Sequence, residues 1–271
     1  MKRSTLELLC CPRCQTALSL RDERGDETVD EGDLFCPHCE RSFLIRNGIA
    51  RFIDPQELEG LNSCFTRFYD WFSRFYALFT KMAFLPFGGD RKARKVILDR
   101  LDLNGGRLLE VSIGSGGNLP YLFESPRVGE VYGLDISTGL LACCHSYVTK
   151  LGWPVDLFLG TAEALPFNAE SFDSILHIGG INFFSRKKKA IDEMIRVARP
   201  GGKIVIADES ERLAQLIARI PGLSHSYQVK KADTTSIVHL VPDTMEEIRM
   251  DGIWKMHGQY HGYCLEFRKP A

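Results

Sequence analysis

Two cysteine pairs of the same design, Cys11-Pro12-Arg13-Cys14 and Cys36-Pro37-His38-Cys39, stand 21 residues apart in this chain. Two intervening residues let both sulfurs of a pair turn to one side of a tight loop, and two such loops supply four thiolates, the tetrahedral set that Zn2+ takes. With every position filled by protein, such an ion is structural: it contributes folding free energy and leaves no open position for a reacting molecule. A redox pair or buried thiols would also account for one C-x-x-C, but neither explains the duplication. Cys10 and His38 are close enough in sequence to be rival ligands.

A second constellation follows. The apolar run Leu108-Leu109-Glu110-Val111-Ser112-Ile113 leads directly into Gly114-Ser115-Gly116-Gly117-Asn118. Glycine lets a backbone turn sharply and approach a ligand without a Cβ in the way. Alone, such a turn serves NAD, FAD or a nucleotide, or merely connects two elements. Val131-Tyr132-Gly133-Leu134-Asp135-Ile136 adds a strand ending in an acid, 25 residues on from Glu110. A carboxylate there can accept both hydroxyls of a ribose, or cap a helix. The turn lacks the third glycine of the dinucleotide fingerprint at its required place, which counts against NAD.

The elements that must position these residues are legible from periodicity. Around the first cysteine pairs, residues 1–52 carry short mixed segments, with Gly25 and Gly32 favouring a hairpin connection in the acidic stretch between them. Leu61 to Leu85 is strongly aromatic, with Phe65, Phe68, Tyr69, Trp71, Phe72, Phe75, Tyr76, Phe79 and Phe84 at helical spacings, and a second helix runs from about Arg91 to Leu101. Then strand and helix alternate: strands at Arg107 to Ile113, Glu130 to Asp135, Pro154 to Leu159, Phe172 to Ile178 and Lys203 to Asp208, helices at Asn118 to Glu124, Thr138 to Leu151 and Arg186 to Arg199. Glu246 to Met256 and Gly262 to Arg268 form a closing antiparallel hairpin. The expected fold is α/β: a Rossmann-like doubly wound sheet with an antiparallel C-terminal edge strand, plus a small N-terminal zinc-ribbon module. The expected divisions are residues 1–53 for the module, 54–104 for a helical linker or cap, and 105–271 for the main domain.

Five ordered stretches resemble the class I S-adenosylmethionine-dependent methyltransferases of the ubiquinone/menaquinone type: Glu110 to Asn118, Gly133 to Ser137, Gly160 to Phe167, Phe172 to Phe184 and Arg196 to Asp208. The resemblance implies that Gly114, Ser115 and Gly116 lie under the methionine and ribose parts of the cofactor, beside Asn118. It implies further that Glu110 supports the loop or reaches the amino group, that Asp135 takes the ribose hydroxyls, and that Ile136 packs on adenine. Ala162 and Glu163 would flank the adenine edge, with His177 and Ile178 beside the methionine. Two positions depart from the family pattern. Thr161 stands where an Asp commonly meets the adenine amino group, and Ser112 replaces a residue often Gly or Asp. The segment Ser42 to Phe52, after the second cysteine pair, resembles the zinc ribbons of the Trm112-like class, which also occur fused to methyltransferases, including ribosomal RNA ones.

Methyl transfer from a sulfonium needs alignment and exclusion of water more than acid–base groups. His177 is the candidate general base, although a His at a strand end also serves packing. Cys143-Cys144 invites comparison with methyltransferases of arsenic or thiols, against the alternative of small buried packing residues. His145, His225, His257 and His261 have no chemical context; Cys64 and Cys264 read as incidental.

The chain has 271 residues, 44% hydrophobic and 25% charged, with a formal charge of −1, so no global charge draws it to nucleic acid. No segment approaches the length of a membrane span, no secretory leader is evident and nine cysteines form no disulfide framework, so a cytoplasmic setting is expected. The resemblance implies that the aromatic helix caps the acceptor pocket; the alternatives are a helix simply buried on the core domain or one that docks the zinc module. The expected function is methylation of a small or medium-sized, apolar or aromatic acceptor, with the zinc structural. One alternative is a ribosomal or transfer RNA acceptor read by the zinc ribbon, although the basic run Arg186 to Lys189 looks like a solvated helix face. Another is a non-catalytic protein-binding module with a vestigial methyltransferase domain. Oligomeric state is not legible.

Overall fold

The computed structural model describes the chain except residues 25–26, 55–57, 59 and 211–236. Gly25 and His225 therefore lie outside the described residues, as do the side chains of Cys64, Phe65 and Phe68.

Among the described residues, one eleven-stranded sheet runs through the molecule. Its centre consists of β5 (Arg107–Val111), β6 (Glu130–Asp135), β7 (Val155–Leu159), β8 (Phe172–Ile178) and β9 (Ala198–Glu209), all parallel. The hairpin of β10 (Glu246–Met256) and β11 (Gln259–Arg268) joins antiparallel, β11 lying against β9 and β10 at the edge. Counted from β5, the spatial order is 3-2-1-4-5-7-6. The chain reverses its direction of winding between β5 and β8, and in open sheets of this kind ligands bind outside the C-terminal ends of the strands at such a switch point.

Two layers of helix cover the sheet. On one face, α2 (Asp90–Leu98), the short α3 (Leu119–Leu122) and α4 (Thr138–Leu151) bury Ile97, Leu119, Leu141 and Cys144 against Leu108, Leu176 and Val205. On the other, α5 (Lys187–Val197) packs Ile191 and Met194 on Leu109, Val111 and Ile206. Since side chains alternate along a strand, Glu110 and Asp135 point to the α4 side, while His177, level with Val111 in the β5–β8 ladder, points to the α5 side.

The strands of the N-terminal module continue the same sheet. β1 (Ser19–Arg24), β2 (Glu31–Phe35) and β3 (Ser42–Arg46) form an antiparallel meander, and β4 (Ile49–Arg51) pairs in parallel with β7. In β3, Phe43 and Ile45 alternate into the core, the period-2 pattern of a half-buried strand. Buried Asp156 on β7 accepts the Lys2 backbone N–H at 3.0 Å and the Thr5 hydroxyl, and Asn168 N donates to Leu8 O at 2.8 Å. Pairing to a parallel strand distant in sequence leaves no local signal, which is why the sequence did not reveal it.

Helix α1 (Gly60–Ala83) spans the expected aromatic segment and packs chiefly on α4. Among the described residues, no helix is long and apolar enough to cross a membrane.

Candidate functional site

The Sγ atoms of Cys11, Cys14, Cys36 and Cys39 all lie within 4.8 Å of one another. Cys11–Cys39 and Cys14–Cys36 are 3.5 Å apart, and Cys14–Cys39 3.9 Å. Thiolates about 2.3 Å from a tetrahedral ion stand roughly 3.8 Å from each other, so the cluster has the size and donor chemistry that Zn2+ requires. Burial pushes the Cys11 thiol up to about 12, and a cation among the four sulfurs would offset the cost of ionising it. The cluster does not include Cys10, buried against Arg196, or His38, which is exposed.

At the C-terminal ends of β5 and β6 the backbone makes a cradle. Gly114 and Gly116 adopt φ of +57° and +79°, and a Cβ at Gly116 would stand 2.9 Å from both Cys144 Sγ and Leu119 Cδ1. Cys144 is thus the buried floor of the turn, and burial pushes its thiol well above the usual range, which makes it inert. Ser112 holds φ +63°, a left-handed conformation that costs a residue with a Cβ about 1 kcal/mol; the departure from Gly at this position is a strain in the loop.

Buried Asp135 joins turn and strand end. Its Oδ2 accepts the Gly114 N–H at 2.7 Å and its Oδ1 the Ser137 N–H at 2.8 Å, so each oxygen retains a lone pair for a further donor. Burial pushes its pKa up to about 6. Glu110 is 1% exposed; Oε1 accepts from Asn118 Nδ2 at 2.5 Å, whereas Oε2 has no partner among the described residues. Burial raises this carboxyl to about 7, against the pull of Asn118 and the Arg94 cation. An orphaned carboxylate oxygen this deep is expensive unless a ligand supplies a donor.

Arg94 was missed by sequence reasoning. In the run Arg91-Lys92-Ala93-Arg94-Lys95 it reads as one more solvated helix charge, yet it is buried. Its Nη1 donates to Asn118 Oδ1 at 2.7 Å and its Nε to Asp90 Oδ1 at 2.7 Å, while the Tyr121 hydroxyl donates to Asp90 Oδ2 at 2.7 Å. Tyr121, Asp90, Arg94, Asn118 and Glu110 therefore form one chain of hydrogen bonds beneath the turn. Arg94 Nη2 stands only 2.9 Å from where a Cβ on Gly117 would be. The one available sequence signal was its place beside Ala93 and Ile97 on the helix's apolar stripe.

The structure brings together Glu110, Gly114, Ser115, Gly116, Asn118 and Asp135, with Ile136 half-buried just beyond and Ile178 at the end of β8 on the same sheet face. Buried Ala162 and Glu163 sit in the loop after β7. That loop is clamped by Arg196, which donates to Phe167 O at 2.7 Å and Leu165 O at 3.0 Å, and by Glu193, which accepts the Leu165 N–H at 2.8 Å.

His177 is placed apart from this group. Fully buried on the α5 face, it sets Nδ1 2.9 Å from Val111 O, and its ring meets the Phe184 ring in an edge contact with centroids 5.1 Å apart. Bonding to a carbonyl makes Nδ1 the donor and leaves Nε2 a lone pair without a partner, and burial lowers its pKa, so the ring is neutral. Asp208, likewise on that face, accepts the Gly180 and Asn182 N–H groups at 3.2 and 2.9 Å and fixes the loop after β8. The packing alternative for His177 is the one the geometry favours.

Helix α1 sets two of its aromatic residues, Tyr69 and Tyr76, toward the turn and the larger apolar ones away from it. Its inward face is polar: the Tyr76 ring lies over the turn, 3.7 Å from where a Gly114 Cβ would be, with Tyr69 5.7 Å away in an edge contact. Both hydroxyls are pushed above the usual range by burial and lie in the field of Asp135 and Glu209. Trp71, Phe75 and Phe79 face outward instead.

This strand order, with a glycine turn at the switch point and an acid ending the neighbouring strand, is the class I S-adenosylmethionine-dependent methyltransferase fold. Residues 109–206 match the family described as "Methyltransferase domain", and residues 2–48 that described as "Trm112p-like protein". A phthiotriol/phenolphthiotriol dimycocerosates methyltransferase of Mycobacterium tuberculosis is 35% identical over 40% of this chain and 40% of its own. A demethylmenaquinone methyltransferase of Renibacterium salmoninarum is 36% identical over 46% of this chain and 51% of its own. The match thus takes in about half or less of the length of these relatives. Among solved structures, a methyltransferase complex with the Haloferax volcanii Trm112 methyltransferase activator superposes with a TM-score of 0.58 at 15% identity, over 75% of this chain and 98% of the other. The [4+2]-cyclase SpnF superposes at 0.55 and 17%, over 79% and 98%, so the fold alone does not fix the reaction.

Proposed function

We propose that this chain transfers a methyl group from S-adenosylmethionine to a small or medium-sized apolar or aromatic acceptor, with a structural Zn2+ held by Cys11, Cys14, Cys36 and Cys39. The observation that carries the reading is the Gly114–Asp135 hydrogen bond, which fuses the turn and the acid into one cradle. In it the free lone pairs of Asp135 suit the ribose hydroxyls, Ile136 an adenine face, and Ala162 with Glu163 the adenine edge. Glu110 Oε2 lacks a donor, and the cofactor's amino group would be one. Thr161 offers a hydroxyl where a carboxylate would hold the adenine amino group more firmly. When bound, the cofactor supplies an electrophilic methyl on a sulfonium. The chain's own residues orient the two reactants and exclude water, with Tyr69, Tyr76 and Glu209 bounding the acceptor side and His177 supporting the strand behind.

The lipid-type acceptors named for the mycobacterial and menaquinone relatives support an apolar acceptor here. An RNA acceptor draws on the Trm112p-like segment, but Lys188 of the basic run is paired with Asp192. Calorimetry on the metal-loaded chain tests the reading: S-adenosylmethionine and S-adenosylhomocysteine bind, and Asp135→Asn weakens both more than tenfold. No binding of either would refute it. Labelled-methyl transfer into lipid extracts and not into RNA then separates the two acceptors.

A further inference from the structure

Helix α1 carries one carboxylate, Asp70, and it faces inward, bonded to Ser137 and Gly139. The outward face holds Trp71, Phe75, Leu78, Phe79 and Met82, exposed by 77, 63, 62, 54 and 59%. At 100° per residue these five fall within an arc of about 100°. Along one border of that arc stand Arg67, Arg74 and Lys81, seven residues apart and exposed. Arg67 donates to the Ser63 hydroxyl, and none of the three has an ion pair among the described residues. An apolar stripe of this size on a soluble surface marks an interaction site. Aromatic residues beside a cationic edge, with no acid on that face, are the composition of a helix that lies in the plane of a bilayer.

We infer that α1 docks the protein on an anionic lipid surface, its apolar face among the acyl chains and Arg67, Arg74 and Lys81 at the phosphates. The occupant is a membrane and not a partner helix because the basic border is continuous and, among the described residues, unopposed, a charge pattern that complements a uniformly negative surface. The reading of an apolar acceptor gives this docking its purpose and the inference rests on it there: Tyr69 and Tyr76, on the same helix's inner face, border the cradle, so an acceptor dissolved in lipid would reach the site from beneath α1. Vesicle binding itself is read without any acceptor.

The test is flotation of the metal-loaded full chain with vesicles of phosphatidylcholine alone or with one-third phosphatidylglycerol. The chain floats with the anionic vesicles, more weakly as salt rises. Arg74→Gln/Lys81→Gln reduces partitioning roughly 25-fold, from about fivefold per basic group, and Phe75→Glu abolishes it, while S-adenosylhomocysteine affinity stays unchanged as the check on folding. Failure of the wild-type chain to float at low salt, or flotation indifferent to both variants, overturns the inference. So does a dimer in sedimentation that Phe75→Glu dissociates, since a second copy would then own the face. Loss of S-adenosylhomocysteine binding in the wild-type chain would count against the methyltransferase reading and not against the docking.

Discussion

The Asp70 carboxylate on α1 accepts the Ser137 hydroxyl at 2.6 Å, while the Ser137 backbone N–H donates to Asp135 at 2.8 Å. Asp70 also accepts the Gly139 N–H at 2.8 Å, close to the N-terminus of α4. A Cβ on Gly139 would stand 3.0 Å from Asp70 Cα, so the close approach of the two helices depends on that glycine. One carboxylate therefore latches the covering helix to the loop that positions Asp135.

Removing the latch frees the covering helix and one restraint on the Ser137 loop. Asp70→Ala is expected to weaken S-adenosylhomocysteine binding about tenfold, the worth of one or two charge-assisted hydrogen bonds. Proteolysis within residues 60–83 should accelerate in parallel. Unchanged cleavage there would show that other contacts hold α1.

The buried acids make the ligand-free protein pH-dependent. Glu110 is raised to about 7 from its ordinary 4.5, and Asp135 to about 6 from 3.8, both by burial. A raised folded-state pKa means the folded chain holds the proton more tightly, so its contribution is full below pH 4 and is lost as pH rises through 6 to 7. For Glu110 the loss is on the order of 3 kcal/mol. Thermal denaturation of the ligand-free chain should show stability falling from pH 5 to 8, and Glu110→Gln should flatten that slope. Cofactor binding runs the other way, since the ionised acids are the better acceptors, and affinity should climb over the same interval. Arg94→Gln removes a cation that favours ionised Glu110, moving the midpoint of that climb upward. An affinity independent of pH would contradict these assignments.

Metal removal should reach the cradle through the sheet. Ala50 and Arg51 of β4 pair with Phe158 and Leu159 of β7, and Leu159 pairs in turn with Asp135. The chain is expected to carry one zinc by elemental analysis. Chelation, or Cys36→Ser, should lower the melting temperature by about 10 °C or more. Amide exchange should rise in β4 and β7 before β9. Uniform exchange across the sheet would mean that the metal's effect does not travel along this edge.

Much of the site was legible because the chemistry is local. A glycine turn needs positive φ at fixed positions, a strand end needs an apolar run before an acid, and a tetrahedral thiolate set needs paired cysteines; each is written in adjacent residues. The helix Thr138–Leu151 and the strands Glu130–Asp135 and Phe172–Ile178 were bounded correctly for the same reason, since periodicity and capping act within a few residues. Arg94 and Asp70 were not legible. A charge on a helix looks solvated until the neighbouring helix removes the water from it.

The sequence by itself determined the turn at Gly114, the acid at Asp135, the four sulfurs and the alternation that makes a parallel sheet, because these follow from backbone sterics and side-chain period. Tertiary structure decided the rest. It turned His177 to the opposite face from Glu110, since a one-residue step along a strand reverses the side chain and the β5–β8 register sets which step that is. It joined β4 to β7, a pairing across more than a hundred residues that no local pattern records. It also set Tyr76 inward over the turn and Trp71 outward, because the Asp70 side of α1 bonds to Ser137 and Gly139.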